Sequence, residues 1–271
     1  MSETSISTKM HTYVVCAYKE SPFLEECIQS LERQTVASRI LISTATPNQH
    51  ISAVAARHGL EVRVNTGDHG IAQDWEFALR QAATPYVTLA HQDDVYEPTY
   101  TETILSGLQA AENPIIAFTD YFEVRNGERV YATQSRLLQV KQKLLAPLKK
   151  EKRQSSIWWR RRCLSLGNAI CCPAVTYVMA RMPEPVFQPH FKSNVDWQTW
   201  EKLSKENGQF VYLPKPLMGH RVHAGSTTTE VIGDGSGRTA EDLEMFRAFW
   251  PAPIARLLVK VYSSSQASNQ T

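Results

Sequence analysis

The chain lacks any long hydrophobic run. Its 271 residues are 42% hydrophobic, yet no stretch approaches the roughly 18 consecutive apolar residues that a membrane-spanning helix needs. The first apolar run, 13–17, is also too short for the core of a secretory signal peptide. We therefore expect a soluble, cytoplasmic protein with one large α/β domain, or one such domain plus a small appendage.

Disulfide and zinc signatures are missing as well. The five cysteines, Cys16, Cys27, Cys163, Cys171 and Cys172, are an odd number at irregular spacing, and the sequence contains no CxxC pair. Adjacent cysteines are hard to bridge to each other, and structural zinc sites usually draw on paired cysteines. Buried, reduced thiols are therefore expected.

Acidic residues are scarce in one segment. Residues 141–162 carry nine basic side chains and one acid, a local charge of +8, whereas the rest of the chain carries −6. With Trp158 and Trp159 interleaved, this segment suits an anionic membrane surface, where each basic residue adds about 1 kcal/mol. The alternative is a solvated helix face with both tryptophans in the core. No recognisable nucleic-acid reader accompanies the patch, so no nucleic-acid partner is expected.

Strand-like and helix-like segments alternate through the first half, which predicts a largely parallel sheet with helices on both faces. Strands are predicted at 12–17, 39–44, 60–64, 85–90 and 115–119, and helices at 23–34, 49–58, 71–83 and 98–111. In the second half we predict basic helices at 137–162 broken at Pro147, strands at 173–179 and 210–217, a helix at 195–206, a polar loop at 220–237, a C-terminal helix at 239–262 and disorder from Ser263.

An acidic pair, Asp93-Asp94, follows the fourth predicted strand. In sheets of this kind ligands bind beyond the carboxyl ends of the strands. Two adjacent carboxylates repel each other, and a hard divalent cation shared with substrate phosphates would neutralise them. From the residues alone, the alternative is an acid pair that caps the helix after Pro98.

Several motifs occur in a specific order around this pair. A strand 13–18 precedes Lys19-Glu20, a helix of the pattern Leu-xx-Cys-Ile-xx-Leu-xxx-Gln runs over 24–34, and an element like N-x-G-x-A covers 65–72. This order, with Asp93-Asp94 at the place of a DxD-type motif, resembles the family 2 glycosyltransferases of bacterial type, which are inverting enzymes with the GT-A fold. The resemblance extends over about 12–229.

The resemblance implies a Rossmann-like GT-A domain at 1–230, with a nucleotide-sugar half at about 10–120 and an acceptor half at 121–230. A C-terminal helical extension and disordered tail would occupy 231–271. It further implies that Asp94 contacts Mn²⁺ or Mg²⁺ and that Asp93 contacts the ribose or sugar. Donor-binding positions would follow the strand ends, at Ala17, Tyr18, Glu20, Thr44 and Gly70.

Residues 194–200 resemble the family's ED-W element, which supplies a general base at a helix start. The resemblance implies that Asp196 deprotonates the acceptor hydroxyl, with Trp197 beside the acceptor. An N-cap would want the same residue type as Asp196, and the two roles are compatible. Asp120, after the fifth strand, would bind the acceptor or the donor sugar, or cap a turn.

The run His220-Arg-Val-His223, with the Gly/Ser/Thr stretch after it, is similar to a family R-x-H-x-x-S-x-T element that closes over the nucleotide. Alternation places Arg221 and His223 on the same side of an extended chain. Arg221 and Ser226 would then hold the diphosphate, and His223 would ligate the metal. The alternative is an exposed polar loop without a ligand.

An acid is missing where the family carries a DDGS turn, since 43–47 read Ser-Thr-Ala-Thr-Pro. Hydroxyl or backbone groups, at Thr44 or Thr46, would then recognise the nucleotide base. The expected function is metal-dependent, inverting hexosyl transfer from a nucleoside-diphosphate sugar, by resemblance a UDP-sugar, to a glycan or lipid-linked acceptor. The setting implied is bacterial cell-surface polysaccharide synthesis, with a peripheral contact at the inner face of the membrane.

Two other classes of protein stay open. A sugar nucleotidyltransferase would generally carry a glycine-rich, basic loop after the first strand, and 17–22 contain no glycine. A non-catalytic nucleotide-sugar-binding protein of the same fold is compatible with the missing turn acid. The intact Asp93, Asp94 and Asp196 favour an enzyme instead.

Overall fold

The structure, a computed structural model, describes residues 8–223 and 235–267. Within these residues nine strands form one sheet. In chain order they are β1 (His11–Ala17), β2 (Arg39–Thr44), β3 (Glu61–Val64), β4 (Tyr86–His91), β5 (Val95–Tyr96), β6 (Pro114–Arg125), β7 (Glu128–Val130), β8 (Val175–Val178) and β9 (Gln209–Val222).

Helices separate most of these strands and continue after the last one. The α-helices of the described residues are α1 (Leu24–Glu32), α2 (Gln49–His58), α3 (Ile71–Arg80), α4 (Tyr100–Ala110), α5 (Arg136–Leu145), α6 (Glu151–Gln154), α7 (Ile157–Leu164), α8 (Val195–Leu203), α9 (Gly235–Arg247) and α10 (Ala252–Ala267). Short 3₁₀ turns occupy Ala146–Lys149, Cys172–Ala174 and Met179–Arg181.

The strands follow the order β3-β2-β1-β4-β8-β6-β9-β5, with β7 paired to β6. The first four of these strands are mutually parallel. β8 is antiparallel to both β4 and β6, whereas β6 and β9 are parallel. Because parallel strands end on one side of a sheet, Ala17, Thr44, Val64 and His91 come together along one edge.

The first half follows the sequence prediction closely because its signals are local. Helix α2 has the predicted bounds, with the Asn48 side chain accepting a hydrogen bond from Ile51 N at its start and Gly59 in the left-handed region, at a φ of 62°, at its end. An asparagine N-cap and a C-terminal glycine in that conformation are both visible in a sequence. The predicted break at Pro147 is also confirmed, since the 3₁₀ turn Ala146–Lys149 contains it.

Four features of the chain differ from the prediction. β6 and β9 extend past their predicted ends at 119 and 217, and the short strands β5 and β7 were not predicted. The polar loop expected at 220–237 is strand through Val222 and helix from Gly235. Helix α10 continues to Ala267, so the disorder expected from Ser263 is wrong up to that residue. Residues 224–234 and 268–271 lie outside the described part of the chain.

Two hydrophobic clusters cover the two faces of the sheet. Along β1, Val14 points into one cluster while Tyr13 and Val15 point into the other, as the two-residue repeat of a strand requires. Helices α1, α2 and α4 pack on the Tyr13 side. Helices α3, α7, α8, α9 and α10 contribute to the Val14 side. The five cysteines are unpaired thiols, as the sequence predicts.

The C-terminal helices belong to the second cluster and do not stand apart from it. Trp197 of α8 is fully buried, and its ring lies 5.1 Å from that of Phe246 in α9 and 5.7 Å from that of Tyr262 in α10. The indole N–H of Trp197 donates to the carbonyl of Leu164 at 3.1 Å. The side chain is therefore satisfied inside the core.

Several basic side chains of the segment 141–162 make contacts inside the protein. Arg160 has no solvent exposure and donates to the carbonyl of Glu206, while Arg161 forms an ion pair with Glu201. Trp158 is 62% exposed. The exposed cations that remain are Lys143, Lys149, Lys150, Lys152 and Arg162. Among the described residues no helix has both the length and the apolar character needed to cross a bilayer.

Replacing Phe246 with alanine should lower the free energy of unfolding by about 3–5 kcal/mol, because it empties a fully buried aromatic site between α8 and α10. Urea denaturation followed by fluorescence measures this change. Leu257→Ala on α10 is the matched control, since Leu257 is 63% exposed and its loss should cost less than about 0.5 kcal/mol. Equal effects of the two changes would contradict the assignment of α9 to the core.

Candidate active site

A cleft of about 1130 Å³ opens along the carboxyl ends of β1, β2 and β4. One side is formed by the loops after these strands and by the start of α3. The other side is formed by residues 168–173, by 189–196 and by residues of α9 and α10. The position agrees with the expectation that chemistry lies beyond the strand ends.

The floor of the cleft is set by the pairing of β5 with β9. Val95 lies opposite Gly219 and Tyr96 opposite Met218 in antiparallel register. Since Asp93 and Asp94 immediately precede β5, this register carries them next to the residues that follow Gly219. A side chain at position 219 would meet the Phe122 ring at 2.6 Å and the Val95 side chain at 2.8 Å, so glycine is required for this approach.

Asp94 lies beneath the floor, with no solvent exposure. Its Oδ1 accepts a hydrogen bond from Arg221 N at 2.9 Å and lies 3.1 Å from His220 Nδ1. Burial disfavours the charged form of His220, but the Asp94 and Asp93 carboxylates together outweigh burial and raise the pKa of the imidazole. Asp94 therefore acts as a tie between the β5 turn and the end of β9.

Asp93 is the member of the pair that lines the cleft, together with His223. Asp93 Oδ2 lies 3.0 Å from His223 Nε2, and the two side chains are 19% and 26% exposed. Burial opposes ionisation of Asp93, yet His91, His223 and His220 together hold the pKa of its carboxyl below the ordinary value. The expected roles, with Asp94 on the metal and Asp93 on the ribose or sugar, fit these positions poorly.

Arg221 does not reach the cleft, which corrects its expected role at the diphosphate. Its guanidinium is held below the floor, where Nε donates to the Asp93 carbonyl at 2.8 Å and Nη2 donates to Glu26 at 2.7 Å. The cation also lies 4.3 Å from the ring centre of Phe23. His223 packs on the same ring at 5.0 Å, so the predicted placement of both side chains on one side of the strand is confirmed.

The loop after β1 is fastened to the acidic turn. Gln92 accepts a hydrogen bond from Tyr18 N at 3.0 Å and donates to Tyr18 O at 2.8 Å. Ala17, Tyr18 and Glu20 line the cleft, as expected for donor-binding positions. These two hydrogen bonds of Gln92 hold the loop after β1 beside Asp93.

The hydroxyls expected to read the nucleotide base are engaged in the loops themselves. Thr44 Oγ1 accepts from Thr46 N at 3.0 Å, and Thr46 Oγ1 accepts from Lys19 N at 2.6 Å. Ser43, Thr44 and Ala45 line this end of the cleft. The β2 end therefore offers a ligand the backbone groups of 43–45 and the hydroxyls of Ser43 and Thr44, which can still donate a hydrogen bond.

Gly70 begins helix α3 and lines the cleft, at a φ of 140° that favours glycine. Its N–H donates to Asp74 Oδ2 at 3.3 Å, while Asp74 Oδ1 accepts from Asn65 Nδ2 at 2.7 Å. One turn into α3, Trp75 stacks on His91 with ring centres 5.1 Å apart. These contacts hold the loop before α3 against the end of β4.

Asp196 lies on the opposite side of the same cleft, in the first turn of α8. Its Oδ2 accepts from Asn168 Nδ2 at 2.6 Å and its Oδ1 accepts from Trp197 N at 2.7 Å. Burial raises the pKa of its carboxyl above the ordinary value. The N-cap position belongs to Asn194, and the Asp196 side chain satisfies a first-turn N–H of the helix, that of Trp197.

The two residues expected at the acceptor, Asp120 and Trp197, lie elsewhere. Asp120 is buried outside the main cleft, where it accepts hydrogen bonds from the Tyr212 hydroxyl at 2.6 Å and from Gln142 at 3.1 Å. Burial raises the pKa of its carboxyl. Trp197 is a core residue, as described above. Ser226, expected at the diphosphate, lies outside the described residues.

Sequence reasoning also missed three residues at the cleft. His220 stood within a quoted motif but received no role, although its contact with Asp94 organises the floor. Lys192 and Arg238 line the acceptor side. No local pattern marks either residue, because each is placed by contacts between α9 and the segment before α8.

A protein family and several solved structures resemble this chain. The sequence model of the family described as "Glycosyl transferase family 2" matches residues 12–170, which is more than half of the chain. The chain therefore belongs to glycosyl transferase family 2. No curated protein matches the chain as a sequence relative.

Solved structures of low sequence identity share the fold. The chain resembles the 1–349 fragment of S. aureus TarS in complex with UDP-GlcNAc, at a TM-score of 0.59 and 15% identity, over 92% of this chain and 70% of that one. In a fuller structure of S. aureus TarS the chain spans only 42% of the protein, at 15% identity and a TM-score of 0.56.

Two further solved structures match over 92–93% of this chain at 14% identity. One is glucosyl-3-phosphoglycerate synthase from Mycobacterium tuberculosis with Mn²⁺ and UDP-glucose, at a TM-score of 0.59 over 82% of that chain. The other is mannosyltransferase PcManGT from Pyrobaculum calidifontis with GDP-Man and Mn²⁺, at 0.58 over 69% of that chain. These likenesses confirm the predicted GT-A fold.

The residues of this chain fit a divalent cation only as part of a larger ligand set. Asp93 and His223 offer a carboxylate oxygen and an imidazole nitrogen 3.0 Å apart. In the described ranges, 8–223 and 235–267, no group of three or more histidine, cysteine, aspartate or glutamate side chains is arranged to hold a metal. Cations of the Mn²⁺ and Mg²⁺ type often take few protein ligands and complete their shell with substrate phosphates and water.

Asp94 retains one feature that favours a cation contact, because its Oδ2 is buried without a hydrogen-bond partner among the described atoms. That oxygen has no exposure to the cleft, so the metal role of Asp94 stays a prediction. The geometry favours Asp93 with His223.

The same substitution at the two neighbouring acids separates structural from ligand-binding roles. Asp94→Asn should lower the free energy of unfolding by about 2–4 kcal/mol, because it removes a buried charge that holds Arg221 N and His220. Asp93→Asn should cost less than about 1 kcal/mol, since among the described residues its carboxylate has one side-chain hydrogen-bond partner, His223, which is 26% exposed. Urea denaturation of both variants checks this. A larger loss for Asp93→Asn would reverse the assignment.

Proposed function

We propose that the protein transfers a sugar from a nucleoside-diphosphate sugar to an acceptor hydroxyl with inversion at the anomeric carbon, with a UDP-sugar as the donor. The observation that supports this most is the arrangement of one cleft in a family 2 chain. A carboxylate and imidazole pair, Asp93 and His223, lies on the strand-end side, and a separate carboxylate, Asp196, faces it from α8. This is the division that transfer between two bound substrates requires.

The donor end of the cleft is proposed to lie between the loops after β1 and β2 and the turn at Asp93. The two hydrogen bonds between Gln92 and the Tyr18 backbone fix two of these loops relative to each other. A diphosphate placed beside Asp93 and His223 would also lie near the exposed Lys19. With no acid at the end of β2, the base would contact backbone groups of 43–45, so UDP and GDP should be titrated side by side.

Asp93 and His223 are the residues that would hold a divalent cation. Such a cation would supply positive charge against the phosphate oxygens of the leaving group. The chain contributes the orientation of both ligands. Asp93 is held through its carbonyl by Arg221, and His223 by packing on Phe23. Ligands whose orientation is fixed by such surrounding contacts bind metal more tightly.

Asp196 is proposed to accept the proton of the acceptor hydroxyl as that oxygen attacks the sugar. A base must bind a proton during the reaction, and the buried position of Asp196 raises the pKa of its carboxyl in the direction that favours this. Asn168 holds the carboxylate in place at 2.6 Å. A single base on the acceptor side, acting in one displacement, gives inversion.

The remaining expectations about setting stay predictions. Hexosyl transfer in bacterial cell-surface polysaccharide synthesis, a lipid-linked acceptor and a cytoplasmic location are implied by the family resemblance. A peripheral contact with an anionic membrane would depend on Trp158, on the four exposed lysines of 141–162 and on the exposed Arg162, because Arg160 and Arg161 already contact other residues of the chain. The alternative is a non-catalytic binding protein. Such a protein would bind the nucleotide sugar but would not transfer the sugar to an acceptor.

UDP binding should depend on Mn²⁺, Asp93 and His223. Asp93→Asn and His223→Ala should each weaken UDP affinity in the presence of Mn²⁺ by more than about tenfold, because each removes one of the two protein ligands. Isothermal calorimetry with and without Mn²⁺ measures this. His58→Ala is the control, since His58 is bonded to Glu25 and Glu32 away from the cleft. Unchanged affinity in both cleft variants would remove the metal assignment.

Asp196→Asn should abolish transfer while leaving UDP binding intact. The expected loss in kcat is roughly 10²–10⁴-fold, the usual contribution of a general base. In the wild type the acid limb of the pH profile should lie above the ordinary aspartate pKa, because the base must be ionised and burial raises its pKa. A screen of labelled UDP- and GDP-sugars against glycan acceptors provides the assay. Retained turnover in the variant would exclude Asp196 as the base.

A further inference from the structure

The acceptor side of the cleft carries more positive charge than the transfer reaction alone explains. Three cationic side chains line it, those of Lys141, Lys192 and Arg238, against the single carboxylate of Asp196. The ammonium of Lys141 donates to the Tyr121 hydroxyl at 2.8 Å. Lys192 is exposed, and Arg238 Nε has no hydrogen-bond partner among the described atoms. The charge of Arg238 acts on Asp242, whose pKa it lowers against the effect of burial.

Arg238 is the clearer of these two cases. It lies near the start of α9, is partly buried, and its Nε has no hydrogen-bond partner among the described atoms. A buried guanidinium N–H without a hydrogen-bond partner has lost its hydration without compensation, which costs free energy. The nearest acid on its helix, Asp242, already accepts from Asn194 at 2.7 Å, and burial raises the pKa of that carboxyl.

Helix α9 is held firmly against the segment that carries Lys192. Glu241 accepts hydrogen bonds from the backbone N–H groups of Lys192, Ser193 and Asn194, at 2.8–2.9 Å, and from the Ser193 hydroxyl at 2.7 Å. Both cations are therefore mounted on one rigid junction. That junction ends two residues before Asp196, at Asn194.

We infer that this junction is a phosphate subsite, and that the acceptor of the reaction carries a phosphate group bound by Arg238 and Lys192 next to Asp196. The inference rests on the proposed function for the word acceptor, whereas the subsite itself rests on the two cations. A guanidinium offers a planar fork of donors that matches phosphate oxygens, and an ammonium adds a mobile point charge.

Electrostatics also explain why a subsite next to a base is useful. Asp196 repels an anion, so the cations must outweigh it for a phosphate to bind there. Lys141 lowers the pKa of Asp196 against the dominant effect of burial, which shows that charges on this side reach the carboxylate. A phosphate at the junction would offset part of the positive charge near Asp196 and so keep it a stronger base.

Equilibrium dialysis with labelled inorganic phosphate tests the inference on the full-length protein saturated with UDP. We expect one phosphate per chain at millimolar affinity, weakened at least fivefold by Arg238→Gln and by Lys192→Gln. Lys152→Gln, an exposed lysine away from the cleft, should leave binding unchanged. Lys192 is exposed on a loop, so its variant reports on the site even where Arg238→Gln disturbs α9.

Asp196→Asn should tighten phosphate binding, because it removes the negative charge that faces the two cations. Absence of phosphate binding in the wild type, or equal binding in both cation variants and the wild type, would overturn the subsite. Unchanged or weaker binding in Asp196→Asn would overturn its place at the acceptor. UDP affinity measured in the same samples keeps the two proposals apart, since failure to bind UDP would count against the donor site and leave the phosphate subsite standing.

Discussion

One buried carboxylate holds the floor of the cleft together. Asp94 has no solvent exposure and accepts the backbone N–H of Arg221, and His220 lies beside it. Through this contact the turn after β4 is joined to the end of β9, segments more than 120 residues apart in sequence. The position of Asp93 follows from it, because Arg221 also holds the Asp93 carbonyl. Cleft chemistry at Asp93 thus depends on a charge that never meets solvent.

A second set of contacts fixes the opposite wall by similar means. Asn168 holds the Asp196 carboxylate, and Glu241 gathers the backbone N–H groups just before α8. Polar groups held in place before a substrate arrives need no reorganisation during the reaction, which is how a protein lowers a barrier electrostatically. The two walls of the cleft are thus each built around a carboxylate whose partners come from distant parts of the chain.

Local signals made much of the fold predictable, and their absence explains the errors. Helix α2 has its predicted ends because its N-cap and its C-terminal glycine lie within the segment itself. β9 was predicted to end at 217 because the polar run from His220 resembles a loop, yet the strand continues to Val222. A register shift against β6 between Thr119 and Asp120 accommodates Pro214 and Pro216. β5, with two residues, is too short to show any periodicity.

The site was predictable in position and less so in detail. A sequence pattern tells which residues follow a strand. It does not show that Arg221 lies beneath the floor in contact with Glu26 and Phe23. Nor does it show that Trp197 packs against Phe246 in the core. The Glu241 contacts have a broader consequence of the same long-range kind. Since Arg238 of α9 lines the cleft on the side of Asp196, the proposed roles imply that substitutions in this helix would change acceptor binding and leave the side at Asp93 as it is.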